Sequence, residues 1–156
     1  RRFEAQRLLA RARSLAGRSD IISHLLVRIY GTMIRAAADP AKAMAVVRVA
    51  EQELRQLHSC EPCSMGYLTT AAVASAQAGQ LDRARTFLTE AERISGMWQG
   101  GVWSGAVWEA RGHLRHAEGD EHRARAMFRE ASEAFARAGD QPAADRCRAA
   151  AGSGRP

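Results

Sequence analysis

Apolar residues return every three to four positions along most of the chain, and the breaks between these stripes predict a succession of helices. Leu25, Leu26, Ile29 and Met33 or Ile34 keep this spacing between Ile21 and about Ala37. Asp39-Pro40 interrupts the stripe, and proline suits the first turn of the next helix, Ala41–Leu57. Further helices are expected at about Met65–Ala78, Leu81–Ser95, Val102–Glu118 and Glu121–Ala138, with a short one near Pro142–Ala151. Gly79-Gln80 and Gly119-Asp120 divide two pairs. Gly17-Arg18-Ser19-Asp20 ends an amphipathic first segment and offers an N-cap to the following helix. Ser59–Ser64 and the glycine-rich Gly96–Gly101 read as loops. Helix after helix at such short distance predicts stacked hairpins.

The stripes also repeat. Ala84, Leu88 and Ala91 are matched by Ala124, Phe128 and Ala131, by Ala43, Val47 and Ala50, and by Ala5, Leu9 and Ala12. The first residues of these sets are 38, 41 and 40 residues apart. Self-similarity at such a period marks a solenoid whose units bury their apolar faces only against their neighbours.

With these small and large positions aligned, the chain resembles the tetratricopeptide repeat. The large residue of the first helix falls on Val27, Leu68 and Trp108, and the small one on Gly31, Ala72 and Gly112. Ala43, Ala84 and Ala124 take the small position of the second helix, and Val47, Leu88 and Phe128 its aromatic position. The family's tyrosine is replaced by Ile34, Ser75 and Arg115, and the period exceeds the usual length of about 34 residues. The resemblance implies an all-α fold, a right-handed superhelix of antiparallel helix hairpins. It would hold about three full repeats over residues 1–151, an N-terminal half-repeat, a C-terminal capping helix, and a linker-like tail at 152–156. Ala5, Leu9 and Ala12 match the second helix of a unit whose first helix is missing. That half-hairpin is expected to continue upstream or to bury its apolar face in a homodimer.

Arrays of this family bind partners along the concave face formed by their first helices. Carried over by alignment, that face takes Arg28, Thr32 and Arg35 from one helix, Thr69, Val73 and Gln77 from the next, and Glu109, His113 and His116 from the third. Positions i, i+4 and i+7 share one side of a helix. His113 and His116 also form an i, i+3 pair able to titrate near neutrality or to hold a metal; a solvated polar face is the plainer reading.

Composition narrows the class. The 156 residues carry 23 basic and 17 acidic side chains, a net charge of +6, but every basic residue except Lys42 is arginine and the charges are dispersed. Without a basic run or an aromatic platform, direct nucleic-acid binding by this segment is not expected. No apolar stretch reaches the ~20 residues a membrane helix needs. The first segment is charged throughout, unlike a signal peptide. Three cysteines are too few for a secreted disulfide scaffold, which suggests a cytoplasmic protein.

The sharpest local motif is Cys60-Glu61-Pro62-Cys63, two residues after His58. Thiolates at this spacing can chelate zinc, with His58 as a third ligand. A redox pair is the other chemical option, although no strand precedes the motif. The plain alternative is a structured turn between repeats. Trp98, Trp103 and Trp108 crowd one glycine-flanked stretch; packing is expected there in preference to a pocket, since residues five apart do not share a helical face. No nucleophile–base set, carboxylate pair or phosphate loop is present, so neither an enzyme nor a bound cofactor is expected.

The segments Leu26-Val27-Arg28-Ile29-Tyr30-Gly31, Cys60-Glu61-Pro62-Cys63-Ser64-Met65-Gly66-Tyr67 and Gly96-Met97-Trp98-Gln99-Gly100-Gly101 resemble the carboxy-terminal repeat region of large actinobacterial LuxR/MalT-type ATPase transcriptional regulators. This resemblance implies a sensor or scaffold module that binds a protein, peptide or small-molecule inducer. The alternative is a metal-binding or redox-sensing repeat protein built on His58, Cys60 and Cys63.

Overall fold

Breakers stand where the helices end. The computed structural model describes residues 2–58, 60–97 and 101–152, and within them the chain forms eight helices and no strand. They are α1 (Arg2–Ala16), α2 (Ile22–Arg35), α3 (Pro40–Leu54), α4 (Glu61–Gln77), α5 (Leu81–Met97), α6 (Gly101–Ala117), α7 (Glu121–Arg137) and α8 (Gln141–Gly152). Three tight turns share one solution. Gly79, Gly119 and Gly139 sit at φ of +72°, +81° and +80°, a left-handed conformation that a side chain would strain. The amide after each glycine then bonds a carbonyl five residues back, as Gln80 does to Ser75 at 2.8 Å. Asp120 and Asp140 next cap the following helices, accepting from the amides of Arg123 and Ala143.

Several boundaries differ from the sequence reading: α3 stops at Leu54 instead of Leu57, and α5 runs on to Met97, into the expected Gly96–Gly101 loop. Helix α4 begins at Glu61 instead of near Met65, because Pro62 occupies its first turn, where an absent N–H costs nothing. Cys60 and Cys63 therefore sit on a helix start and not in a loop. Asp20 does not cap α2; Ile21 is the N-cap without a side-chain bond, and Ser19 Oγ accepts only the Ile21 amide, at 3.3 Å.

Sequential helices pack as pairs, and α2, α4 and α6 also pack side by side as a central row. Small residues make this approach possible. A Cβ on Gly31 would lie 2.8 Å from the Gly66 carbonyl group, so α2 and α4 cross almost backbone to backbone. On Gly112 it would strike the Phe128 ring at 2.7 Å, the large residue filling the space opposite the small one. Ala43, Ala84, Ala124, Val47, Leu88 and Phe128 are all buried, so the repeated positions are core. Trp108, by contrast, is half-buried, with the Arg111 guanidinium 4.5 Å over its ring.

The two ends are docked by polar contacts as well. Arg13 of α1 bonds Glu53 of α3, which also accepts from the buried Tyr30 hydroxyl. Ala5, Leu9 and Ala12 are half-buried, while Leu8 and Leu15 of the same helix stay exposed. At the other end, Ser132 donates to the Ala144 carbonyl at 2.9 Å, holding α8 on α7. No helix among the described residues is long and apolar enough to cross a membrane.

Candidate functional site

Because α2, α4 and α6 lie in a row, the side chains they turn to one side meet across the gaps, and two clefts form there. Most of the groove residues gather in the first, of about 460 Å³, where Arg35, Thr69, Val73, Gln77, Glu109 and His113 all contribute to the walls. Ala106 and Phe128 give it apolar lining, and α8 closes it with Arg146, Cys147 and Ala150. The second cleft, about 560 Å³, brings together Arg28, Thr32, Arg35, Cys63 and Trp103 over Gly31 and Gly66. Arg35 and Thr70 belong to both.

The groove residues do different things within this geometry. Glu109 is 9% exposed and is already engaged: it accepts from Arg146 Nε at 2.8 Å and Nη2 at 3.0 Å. It thus ties α6 to α8 instead of offering a free carboxylate. Burial pushes the Cys147 thiol up to about 12, with the Glu109 carboxylate adding to the effect, so Cys147 is no thiolate. His113 lies edge-on to Phe128 at 5.1 Å, and burial holds its pKa below the ordinary value. Its imidazole is therefore neutral at pH 7. His116 points elsewhere: it is exposed and pairs with Glu121 at 2.6 Å, outside both clefts. The His113/His116 metal pair that the i, i+3 spacing allows is not assembled, since one ring turns inward against Phe128 and the other is exposed beside Glu121.

Arg28, Thr32 and Arg35 are exposed, and within the described residues no carboxylate pairs with either arginine. Thr32 Oγ1 donates to its own helix at the Arg28 carbonyl, 2.9 Å away. Two cations thus stand beside a largely apolar wall.

The cysteine motif finds a different histidine. His24, Cys60 and Cys63 place one donor atom each within 4.8 Å of one another, and His24 Nδ1 is 3.4 Å from Cys63 Sγ. His58, the neighbour in sequence, is not in this cluster; the packing of α2 on α4 brings His24 in. Cys60 beside it pushes the Cys63 thiol up, and burial adds to this, while Arg28 acts in the opposite sense. Trp98 lies outside the described residues; Trp103 lines the second cleft and Trp108 packs near α8.

Sequence reasoning did not name Thr70, Arg146 or Cys147 as cleft residues, nor His24 as a partner of the cysteines. Arg146 and Cys147 come from the capping helix, whose approach to α6 no local pattern announces. The fold is all-α, an array of packed helices with two clefts lined by residues of α2, α4 and α6. No family model, no curated protein and no solved structure matches the chain.

Proposed function

We propose that this chain is a non-catalytic binding module, a TPR-like solenoid that takes a small inducer or a short peptide segment in the first cleft. One observation carries the reading: a cleft of about 460 Å³ with largely apolar walls, into which Arg35 reaches without a carboxylate partner among the described residues, and which shares Arg35 with the neighbouring cleft that Arg28 lines. That volume falls in the range of small-molecule sites, about 300–1,000 Å³. The occupant suited to it has an apolar body for Val73, Ala106 and Phe128 and an anionic end for Arg35. Burial holds the Cys147 thiol protonated, so it supplies no thiolate nucleophile to the cleft.

Within a longer protein such a module is the sensor or scaffold part of a transcriptional regulator. An ATPase domain upstream and a helix-turn-helix downstream in the same gene are the expected neighbours; flanks of further repeats alone would replace this reading with a free-standing scaffold.

Thermal melting against a panel of medium-chain and aromatic carboxylic acids and short acidic peptides tests the cleft. A member that binds raises the melting temperature by mass action. The rise is expected in the wild type and absent in Ala106→Trp, whose indole fills the cleft. A panel without any effect, or shifts that persist in Ala106→Trp, would sink the assignment.

A further inference from the structure

The geometry points to a zinc site of His24, Cys60 and Cys63, with its fourth position open toward the second cleft. Three donors of soft and borderline character converge from two helices, within 4.8 Å of one another. A tetrahedral ion with Zn–S of about 2.3 Å and Zn–N of about 2.0 Å holds its donors roughly 3.5–3.8 Å apart. The His24 Nδ1 to Cys63 Sγ separation of 3.4 Å is already close to that span. Small rotations of the thiols complete it.

The backbone is built to hold the three in place. Cys60 is the N-cap of α4 at φ −63° and ψ 126°, yet its side chain caps no amide and instead meets the Cys63 thiol. Its carbonyl accepts from both the amide and the hydroxyl of Ser64, at 3.2 and 3.1 Å, fixing the turn. Pro62 restrains the same turn. Across from it, the Gly31–Gly66 approach fixes α2 on α4, and His24 stands two helical turns before Gly31 on the same side.

On binding, the ion displaces the two thiol protons and leaves a neutral Cys₂His–metal unit. Glu61 is not the fourth donor: it is paired with Arg93 at 2.5 Å. Cys63 lines the second cleft beside Arg28 and Trp103, so the remaining position faces water or an anionic ligand held there. Three protein ligands with one exchangeable position is the arrangement of zinc sites that bind a further molecule, whereas closed structural sites use four.

The test uses the full chain, reduced and stripped of metal, titrated with Zn²⁺ against a competing chromophoric chelator and separately with Co²⁺. One ion per chain is expected, and bound Co²⁺ should give the thiolate charge-transfer absorption of a tetrahedral site. His24→Ala, Cys60→Ser and Cys63→Ser should each weaken binding by about tenfold or more, while His58→Ala leaves it unchanged. Variant helicity and melting without metal are recorded alongside. Should a variant not fold, X-ray absorption of the zinc-loaded wild type decides: a shell with two sulfurs is expected, and one of nitrogen and oxygen only would overturn the site. Zinc binding no tighter than in the Cys60→Ser/Cys63→Ser double variant would also overturn it, as would dependence on His58 in place of His24. A Cys60–Cys63 disulfide that forms in air while the reduced chain ignores zinc replaces the metal with a redox pair.

Discussion

Two glycines on either side of one helix crossing make opposite predictions. At Gly31 a methyl group would meet the Gly66 carbonyl carbon and oxygen at 2.8 Å, and backbone cannot swing aside as a side chain can. Gly31→Ala should therefore destabilise by about 1–3 kcal/mol, even though alanine is the better helix former. A Cβ on Gly66 meets nothing within 4 Å, so Gly66→Ala should stabilise by about 0.5–1 kcal/mol. Paired denaturant melts check both signs. His113 gives a second test at this scale. An unfolded imidazole takes up its proton near pH ~6.5. Burial lowers the folded value, against the raising effect of Glu109 and with that of His116 and Arg146. Below the unfolded value the unfolded chain binds more protons, so stability falls with pH until the folded value is passed. Melts at about pH 7.5 and about pH 5 should show a smaller loss for His113→Gln than for the wild type. An equal loss would mean that this ring is not buried neutral.

Among the elements, the repeat register was legible because it is written in size. Small residues recur where helices touch and large ones where they leave space, so Ala43, Ala84, Ala124 and Phe128 were recognisable as core from spacing alone. Phe128→Ala should cost about 3–5 kcal/mol, since its ring fills the hollow over Gly112. A loss below about 1 kcal/mol would mean that the register is wrong. The docking of α8 was not legible. Nothing near Arg146 in sequence announces Glu109, because the pair joins helices through the turn of the whole array. Removing Arg146 leaves a buried carboxylate without its partner. Arg146→Ala should accordingly destabilise by about 2 kcal/mol, moderated by the half-exposed guanidinium. Adding Glu109→Gln should recover part of that loss, as a double-mutant cycle in denaturant will show. The start of α4 lies inside the expected loop Ser59–Ser64, because the first helical turn accepts Pro62.

For the molecule as a whole, the candidate groove was legible only as a list of positions on one helix side each. The array sorts that list. Arg28 and Thr32 line one cleft, Thr69, Gln77 and His113 the other, Arg35 both, Glu109 is bound to Arg146, and His116 faces away. The cysteine motif was visible, but its histidine was not, since His24 reaches it across the α2–α4 packing and His58 is its neighbour only along the chain. Such partners depend on curvature and crossing, which spacing does not encode. The central claim is that the clefts are a binding face whose cations receive the ligand's anionic end. Arg28 and Arg35 are exposed and hold no carboxylate among the described residues, so replacing both should leave the fold intact. The most direct measurement is calorimetric titration of Arg28→Glu/Arg35→Glu with the strongest binder of the carboxylate and peptide panel. The account predicts affinity reduced by about tenfold or more with an unchanged melting curve; affinity equal to that of the wild type would contradict it.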